Sequence, residues 1–322
     1  MTSSFGLTYN RNQIINSALR TLGKLGKTQT AGATDLANCS EALNLMIKSW
    51  INKGATLWKI QELLLPMVAN QQTYPIGPTA AFLSTAGITL TAGGTGGTTG
   101  TYSLGITDST GSGAAGTYTI AGGAVTTITI TAGGSSYSLN PTLSFPSGSV
   151  TGAAATIIPV GLTTDRPLRF IDLGHFMRNN ANNNDSVMIQ LARIDYEIMG
   201  QKGPPGAVPS QFYWNPQLGN GILSPFPVFS GIGSFTMHLF GQVTLGDTTN
   251  PTDLFDFPQE FLNALKWGLC NEVMTEYGVD DKTERRVMRM YEMYVQEAFN
   301  FSTEEPSAYF TMDLMGTGRG RN

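Results

Sequence analysis

A long stretch almost without charge constrains this chain most. Residues 79–164 contain 17 glycines and 21 threonines, and Asp108 is their only charged side chain. Short runs of alternating residues, separated by glycine-rich turns, indicate an ordered all-β domain rather than a disordered low-complexity segment. The runs are Gly87–Leu90, Thr101–Leu104, Gly116–Ile120, Val125–Thr131, Thr142–Phe145 and Ala155–Val160. Because its strand edges lack lysines that would oppose strand pairing, we expect a neighbouring copy or partner to cover at least one edge.

Four segments outside this stretch show helical periodicity. They are residues 10–25, 34–53, 257–277 and 281–299. Asn10 with Gln13 predicts a capping box, Thr34 is the expected cap of the second helix, and Gly278 ends the third. The third segment has the strongest signal, with Asp256 as its expected cap and Pro258 in its first turn.

Shorter apolar runs fill the remaining sequence and predict strands, with one short helix at Arg193–Gln201. Together these patterns predict an α+β fold, a helical bundle made of an N-terminal and a C-terminal helix pair with a small β subdomain. Residues 1–78 and 165–302 form the predicted core, 79–164 the inserted all-β domain, and 303–322 a C-terminal tail. The strand runs are Trp58–Val68, Gln72–Ile76, Leu168–Phe176, Val187–Ala192, Phe212–Trp214, Gly221–Ser224 and Gly233–Gln242.

Composition narrows the class of protein. The formal net charge of -4 disfavours a protein that grips nucleic acid through its phosphates. Cys39 and Cys270 both fall in predicted helices, where they are expected to be buried apolar residues rather than a disulfide. No apolar run reaches membrane-spanning length, and residues 1–10 show no signal-peptide pattern, so we expect a product made in the cytoplasm without a membrane anchor.

Catalytic and cofactor motifs are missing from the sequence. His175 and His238 stand alone and are interpreted as structural residues. The glycine-rich run at residues 92–101 lacks the Lys-Ser/Thr of a phosphate-binding loop and predicts a turn. Glu272 and Glu276 lie one helical turn apart and are interpreted as an exposed helix face, with a peptidoglycan-cleaving acid/base pair as the remote alternative. We therefore expect no enzyme, no metal and no cofactor.

Several motifs in order carry a resemblance to a known family. They are LNLMIKSWINKG at 43–54, QTYPIGPT at 72–79, DRPLRF at 165–170, IDYEIMGQKGPPGAVPSQFYW at 194–214, GILSPFPV at 221–228 and FPQEFLNALKWGLCNEVMTEYG at 257–278. With 79–164 removed, the chain resembles the head-to-tail adaptor of short-tailed phages, also called tail accessory factor or packaged-DNA stabilisation protein. The insert departs from the family pattern, so its role is not implied by the resemblance.

The resemblance implies a structural virion protein at the head-to-tail junction. Such adaptors form rings of about twelve copies under the portal, close the DNA channel after packaging, and anchor tail hub (nozzle) and fibre or spike proteins. The expected partners are therefore portal protein, tail proteins and other copies of the chain. Packaged DNA would pass through the ring without specific binding.

Two groups of residues are candidates for these contacts. The tail contains more apolar residues than an idle terminus needs, which favours a segment that orders on the portal. Its candidate portal-binding residues are Glu304, Tyr309, Phe310, Met312, Leu314, Met315, Arg319 and Arg321. The last predicted helix carries a one-faced basic cluster of Lys282, Arg285, Arg286 and Arg289, which we expect to face carboxylates of a neighbouring copy or phosphates in the channel.

A second hypothesis assigns a different function to residues 79–164. A threonine- and glycine-rich β domain also resembles surface modules that bind glycans or proteins. In that hypothesis Tyr102, Tyr118 and Tyr137 are exposed and form a stacking platform. The simpler interpretation is an outward spacer that neighbours or fibres contact.

Overall fold

The computed structural model of the chain describes residues 9–301, except 53–58, 172–173, 201, 203–204, 207, 232, 245, 247, 249 and 256. The chain forms two compact units, Met1–Trp58 with Leu245–Asn322 and Lys59–Thr244. The helices found in the described residues are α1 (Arg11–Thr21), α2 (Ala33–Asn52), α3 (Arg193–Glu197), α4 (Leu262–Tyr277) and α5 (Asp281–Phe301).

The described strands all lie in the second unit. In chain order they are β1 (Ile60–Pro66), β2 (Tyr74–Gly77), β3 (Ile88–Thr95), β4 (Gly100–Ser103), β5 (Gly105–Thr107), β6 (Ser112–Ala121), β7 (Ala124–Ser135), β8 (Thr142–Ser144), β9 (Thr151–Ile157), β10 (Leu162–Thr163), β11 (Pro167–Phe170), β12 (Phe176–Asn179), β13 (Asp185–Val187), β14 (Ile189–Leu191), β15 (Pro205–Gly206), β16 (Gln211–Asn215), β17 (Gly221–Phe226), β18 (Val228–Phe229) and β19 (Phe235–Val243).

Helix α4 is the centre of the first unit. It packs against α1, α2 and α5, so its buried residues lie around most of its circumference rather than on the single face that the periodicity predicts. Those residues are Ala264, Leu265, Trp267, Gly268, Leu269, Cys270, Val273 and Met274. At Gly268 an added Cβ would lie 2.5 Å from the Met46 sulfur and 3.0 Å from the Trp50 ring. The glycine therefore lets α2 and α4 pack closely, and a side chain there would force Met46 to move.

The helix ends follow partly from the sequence. The capping box at α1 is confirmed, since Asn10 Oδ1 accepts from the Gln13 amide and Gln13 Oε1 from the Asn10 amide, both at 2.9 Å. Gly278 adopts a left-handed φ of 58° after α4, as a helix stop requires. The predicted cap Thr34 is wrong, because α2 already begins at Ala33. Helix α4 begins later than predicted, after a 3-10 turn at Gln259–Phe261, and Asp256 lies outside the described residues.

Two five-stranded sheets make the sandwich of the second unit. One has the order β1-β19-β12-β13 with β11 also on β19, and the other the order β10-β2-β17-β16-β14. Their inner faces share one hydrophobic core of mostly large side chains. Its fully buried members include Leu65, Tyr74, Ile76, Val160, Met177, Phe212, Leu223, Met237 and Leu239.

The glycine- and threonine-rich stretch folds into two further sheets. They have the orders β3-β9-β8-β5 and β4-β6-β7, and the predicted run Val125–Thr131 lies inside β7. Two small cores hold them together, one around Tyr118 and Ile120 and one around Leu83 and Tyr137. The glycine-rich run at residues 92–101 forms the end of β3, the start of β4 and the turn between them.

The predicted fold class is wrong. Strands hold 37% of the described residues and helices 29%, so the chain is not a helical bundle with a small β subdomain. The reason is that β19 pairs with β1, β11 and β12, which are distant in sequence, and local periodicity does not show how such short runs assemble. The finer boundaries predicted at residues 78, 164 and 302 stay predictions.

Candidate functional site

The basic cluster of the last helix lies on one side of α5. Lys282, Arg285, Arg286 and Arg289 follow the spacing i, i+3, i+4 and i+7, so they form a continuous stripe. All four side chains are exposed. In the part of the chain that the structure describes, no ion pair joins them to a carboxylate. We call this surface the basic stripe.

The opposite side of α5 fixes the direction of the stripe. Val287 and Ala298 are buried, and the Tyr294 ring stacks on Trp267 of α4 with ring centroids 6.5 Å apart. Phe299 contacts Trp50 of α2 edge to face at 6.2 Å. Because these contacts hold the apolar face against the unit, the basic stripe points away from it.

A groove lies along the outer side of α2. It is a shallow, open depression of about 690 Å³, and Leu36, Ala37, Glu41 and Leu45 line it. Arg11 forms part of its floor, where it is buried and donates to Ser40 Oγ at 3.2 Å. We call this surface the α2 groove. The sequence does not predict this groove, and one of its lining residues, Leu45, is an apolar side chain that is 66% exposed.

The candidate portal-binding residues lie outside the described residues. Glu304, Tyr309, Phe310, Met312, Leu314, Met315, Arg319 and Arg321 all follow Phe301, the last residue that the structure describes. Their role stays a prediction.

Both cysteines are buried, as predicted. Burial raises the pKa of the Cys270 thiol to about 12, and its Sγ lies 3.5 Å from the Ala18 carbonyl oxygen. Burial also raises the pKa of Cys39, which lies beside the Tyr277 hydroxyl. That hydroxyl donates to Asp35 at 2.8 Å. These thiols are packing residues that stay protonated at neutral pH.

The predicted stacking platform does not exist. Tyr118 and Tyr137 are buried, and Tyr102 packs beside Tyr118 with its hydroxyl on the Thr98 carbonyl. The Tyr118 hydroxyl donates to Ser147 O at 2.7 Å and accepts from Ser147 N at 2.9 Å. The hypothesis of exposed aromatics is therefore wrong, because a domain with so few large residues uses its tyrosines as core.

Asp108 joins two loops of the same domain. Its carboxylate accepts from the Thr110, Gly111 and Ser138 amides and from the Ser138 hydroxyl. Burial alone would raise the pKa of Asp108, but these hydrogen bonds outweigh it and lower the pKa below its ordinary value. The only charge of residues 79–164 is thus occupied by structural hydrogen bonds. Its isolation in a segment otherwise without charge is the sequence signal for this structural role.

The two histidines are buried in the sandwich, as predicted. His175 Nδ1 accepts from the Phe240 amide at 3.1 Å, and its Nε2 lies 2.5 Å from the Ile171 carbonyl oxygen. His238 Nδ1 lies 2.5 Å from Glu62 Oε1, and its ring stacks on Phe176. Each ring is therefore held by packing and by a hydrogen bond on its own sheet.

The remaining carboxylate pair lies on the surface of α4. Glu272 and Glu276 are both exposed, and Glu276 accepts from the Asn38 side chain at 3.1 Å. Within the described ranges, no group of three or more His, Cys, Asp or Glu is placed to hold a metal ion. None of the helices in that part of the chain is both long and apolar enough to cross a membrane.

Comparisons of the sequence with known protein families and with curated proteins find no match.

Proposed function

We propose that this chain is a structural virion protein, a head-to-tail adaptor that joins the portal to the tail of a short-tailed phage. In this role it forms a ring of about twelve copies, closes the DNA channel after packaging and anchors tail hub and fibre proteins. The chemistry would be binding rather than catalysis. The proposal comes from the order of the motifs in the sequence. It requires that the motifs at the two ends of the chain lie in one folded unit.

That condition is a single body built from both ends of the chain. Lys24 Nζ donates to the Gly278 carbonyl oxygen at 3.0 Å. Tyr277 bonds Asp35, and Asn38 bonds Glu276. The motifs at 43–54 and 257–278 also meet directly, because the Trp50 and Phe257 rings lie 6.3 Å apart and Met46 packs beside Gly268. This meeting of the two ends of the chain in the first unit is the observation that carries the proposal.

The test is assembly with the portal protein encoded by the same genome. We expect the full chain to bind purified portal and to appear in electron micrographs as a rotationally symmetric ring below it. Full-length protein that stays separate from portal in sedimentation would contradict the adaptor role.

A second measurement concerns the tail. A chain ending at Ser302 should remain folded by circular dichroism but lose portal binding, because the candidate portal contacts begin at Glu304. The matched control replaces Arg319 and Arg321 alone by Ala, which keeps the apolar residues and should weaken binding only partly. Unchanged binding of the truncated chain would remove the tail from the proposal while leaving the adaptor role open to the first test.

A further inference from the structure

Two surfaces of the helical unit differ in shape and in charge. The α2 groove is concave, with the exposed carboxylate of Glu41 among its lining residues. Glu276 accepts a hydrogen bond from Asn38, three residues before Glu41 on α2. The other charged lining residue, Arg11, is buried, so Glu41 is the charge that the groove exposes. The basic stripe is a convex helix face that exposes cations. Charge complementarity of this kind selects partners and fixes register.

Each surface also carries an exposed apolar side chain next to its charge. Met293 follows Arg289 by four residues and is 49% exposed, so it lies one turn further along the same side of α5. Leu45 follows Glu41 by the same interval on α2. Each surface therefore presents a charge and an apolar anchor at matching spacing.

The two surfaces match in length. The groove runs along α2 from Ala33 to Leu45, which is about 18 Å at the helical rise of about 1.5 Å per residue. The stripe with its methionine runs from Lys282 to Met293, which is about 17 Å by the same rise. A helix laid along the groove would thus place the basic stripe and Met293 within its length.

Repulsion among the four cations of the basic stripe favours a partner surface that carries a carboxylate. Four cations at helical neighbour spacing repel one another and weaken the helix. Among the described residues no ion pair joins one of them to a carboxylate. An anionic polymer fits less well, because Asp281, Glu284 and Glu292 on the same helix would repel it.

We propose that the occupant of the α2 groove is α5 of a second copy of this chain, with Arg289 opposite Glu41. Because the groove and the stripe are different surfaces, the contact is heterologous, so repeating it builds a closed ring or an open filament. The inference deepens the proposed function by naming the contact between copies, and it rests on that function only for the number of copies.

Site-specific disulfides test the contact. Glu41→Cys protein mixed with Arg289→Cys protein should form a disulfide-linked dimer under mild oxidation, in the free state or on portal. Cys39 and Cys270 are buried and stay unreactive. The matched control mixes Arg20→Cys with Arg289→Cys, since Arg20 is exposed on α1. We expect at least fivefold more dimer than in the control.

A double variant distinguishes the geometry. A chain carrying both cysteines should give a ladder of covalent oligomers, because each copy offers both halves of the contact. Dimers without higher species would overturn the heterologous arrangement, and yields equal to the control, with and without portal, would overturn the contact itself.

Charge reversal provides an independent check. Glu41→Arg and Arg289→Glu should each lower the yield of dimer several-fold in zero-length cross-linking, which joins lysine amines to carboxylates. Their combination in one chain should restore the yield. A combined loss equal to the sum of the two would overturn the pairing.

Portal binding is measured on the same samples. A ladder of covalent oligomers without portal binding supports the contact and contradicts the adaptor role. Portal binding without a ladder supports the adaptor role and contradicts the contact.

Discussion

The two β regions of this chain are stabilised in different ways. The sandwich buries large side chains such as Phe212 and Trp214 between two five-stranded sheets. The glycine- and threonine-rich sheets have a smaller core and use hydrogen bonds from single side chains, Asp108 and Tyr118, to hold loops in place. The difference teaches that a β domain with few large residues can compensate for lost apolar burial with a few well-placed polar tethers.

The largest predicted effect concerns apolar volume. Phe212→Ala should lower the free energy of unfolding of the sandwich by about 3–5 kcal/mol, because it removes a fully buried ring. Urea unfolding followed by tryptophan fluorescence would measure it. Phe145→Ala is the control, since Phe145 packs edge to face on Tyr118 but is only partly buried. Equal losses at the two positions would break the comparison.

Removal of the Asp108 carboxylate should follow in size. Asp108→Ala leaves the Gly111 and Ser138 amides without their acceptor, which we expect to cost about 2 kcal/mol after partial replacement by water. Hydrogen exchange should rise in residues 107–111 and 136–138 and not in the sandwich. Asp108→Asn keeps one acceptor and should lose about half as much. Protection unchanged in both loops would contradict the tether.

A matched pair of tyrosines sharpens the comparison. Tyr74 in the sandwich and Tyr118 both donate to a carbonyl and accept from the amide of the same residue, Val68 and Ser147 respectively. Tyr74→Phe should cost about 1–2 kcal/mol, because the buried Val68 amide and carbonyl lose their partner. Tyr118→Phe should cost less, because Ser147 is exposed and water can replace the lost hydroxyl. Thermal unfolding would measure both. A far larger loss at Tyr118 would show that the small core depends on its tether more than the sandwich does.

The smallest effect is a dependence on pH of opposite sign in the two regions. The pKa of Asp108 is lowered in the folded chain, so its contribution is complete above the unfolded pKa of about 3.9 and is lost as the pH falls below it. Burial raises the pKa of Tyr74, so its contribution is complete below the unfolded pKa of about 10 and is lost as the pH rises above it.

Hydrogen exchange at pH 3 and pH 10.5 would separate the two. Residues 107–111 should lose protection first in acid, and the strand β2 with Val68 first in alkali. Asp108→Asn should abolish the acid effect alone. The same order of loss at both pH values would contradict the assignment.

The sequence predicts helices better than it predicts sheets. The periodicity at residues 281–299 and the caps Asn10 and Gly278 are local signals, and α5, α1 and α4 follow them closely. The predicted strand Val187–Ala192 contains the switch from β13 to β14, which belong to different sheets. Nothing in six neighbouring residues reveals such a switch, because partners distant in sequence decide it.

The candidate surfaces show the same limit. The basic stripe is readable from the spacing of Lys282, Arg285, Arg286 and Arg289, since a helix face needs only its own sequence. The α2 groove is not, because it also needs Arg11 and Thr248. The burial of Tyr118 and Tyr137 is not readable either, because composition indicates how many large residues a domain has and not which side of a sheet they face.

The central position of α4 determines when the first unit can fold during synthesis on the ribosome. Helices α1 and α2 emerge first, but the helix against which they pack is translated only after the whole β unit. Until then their apolar stripes lack a native cover, so the nascent N-terminus is the part of the molecule that most needs a chaperone. A polypeptide that terminates between residues 244 and 262 would contain the whole second unit, but α1 and α2 would lack the helix against which they pack.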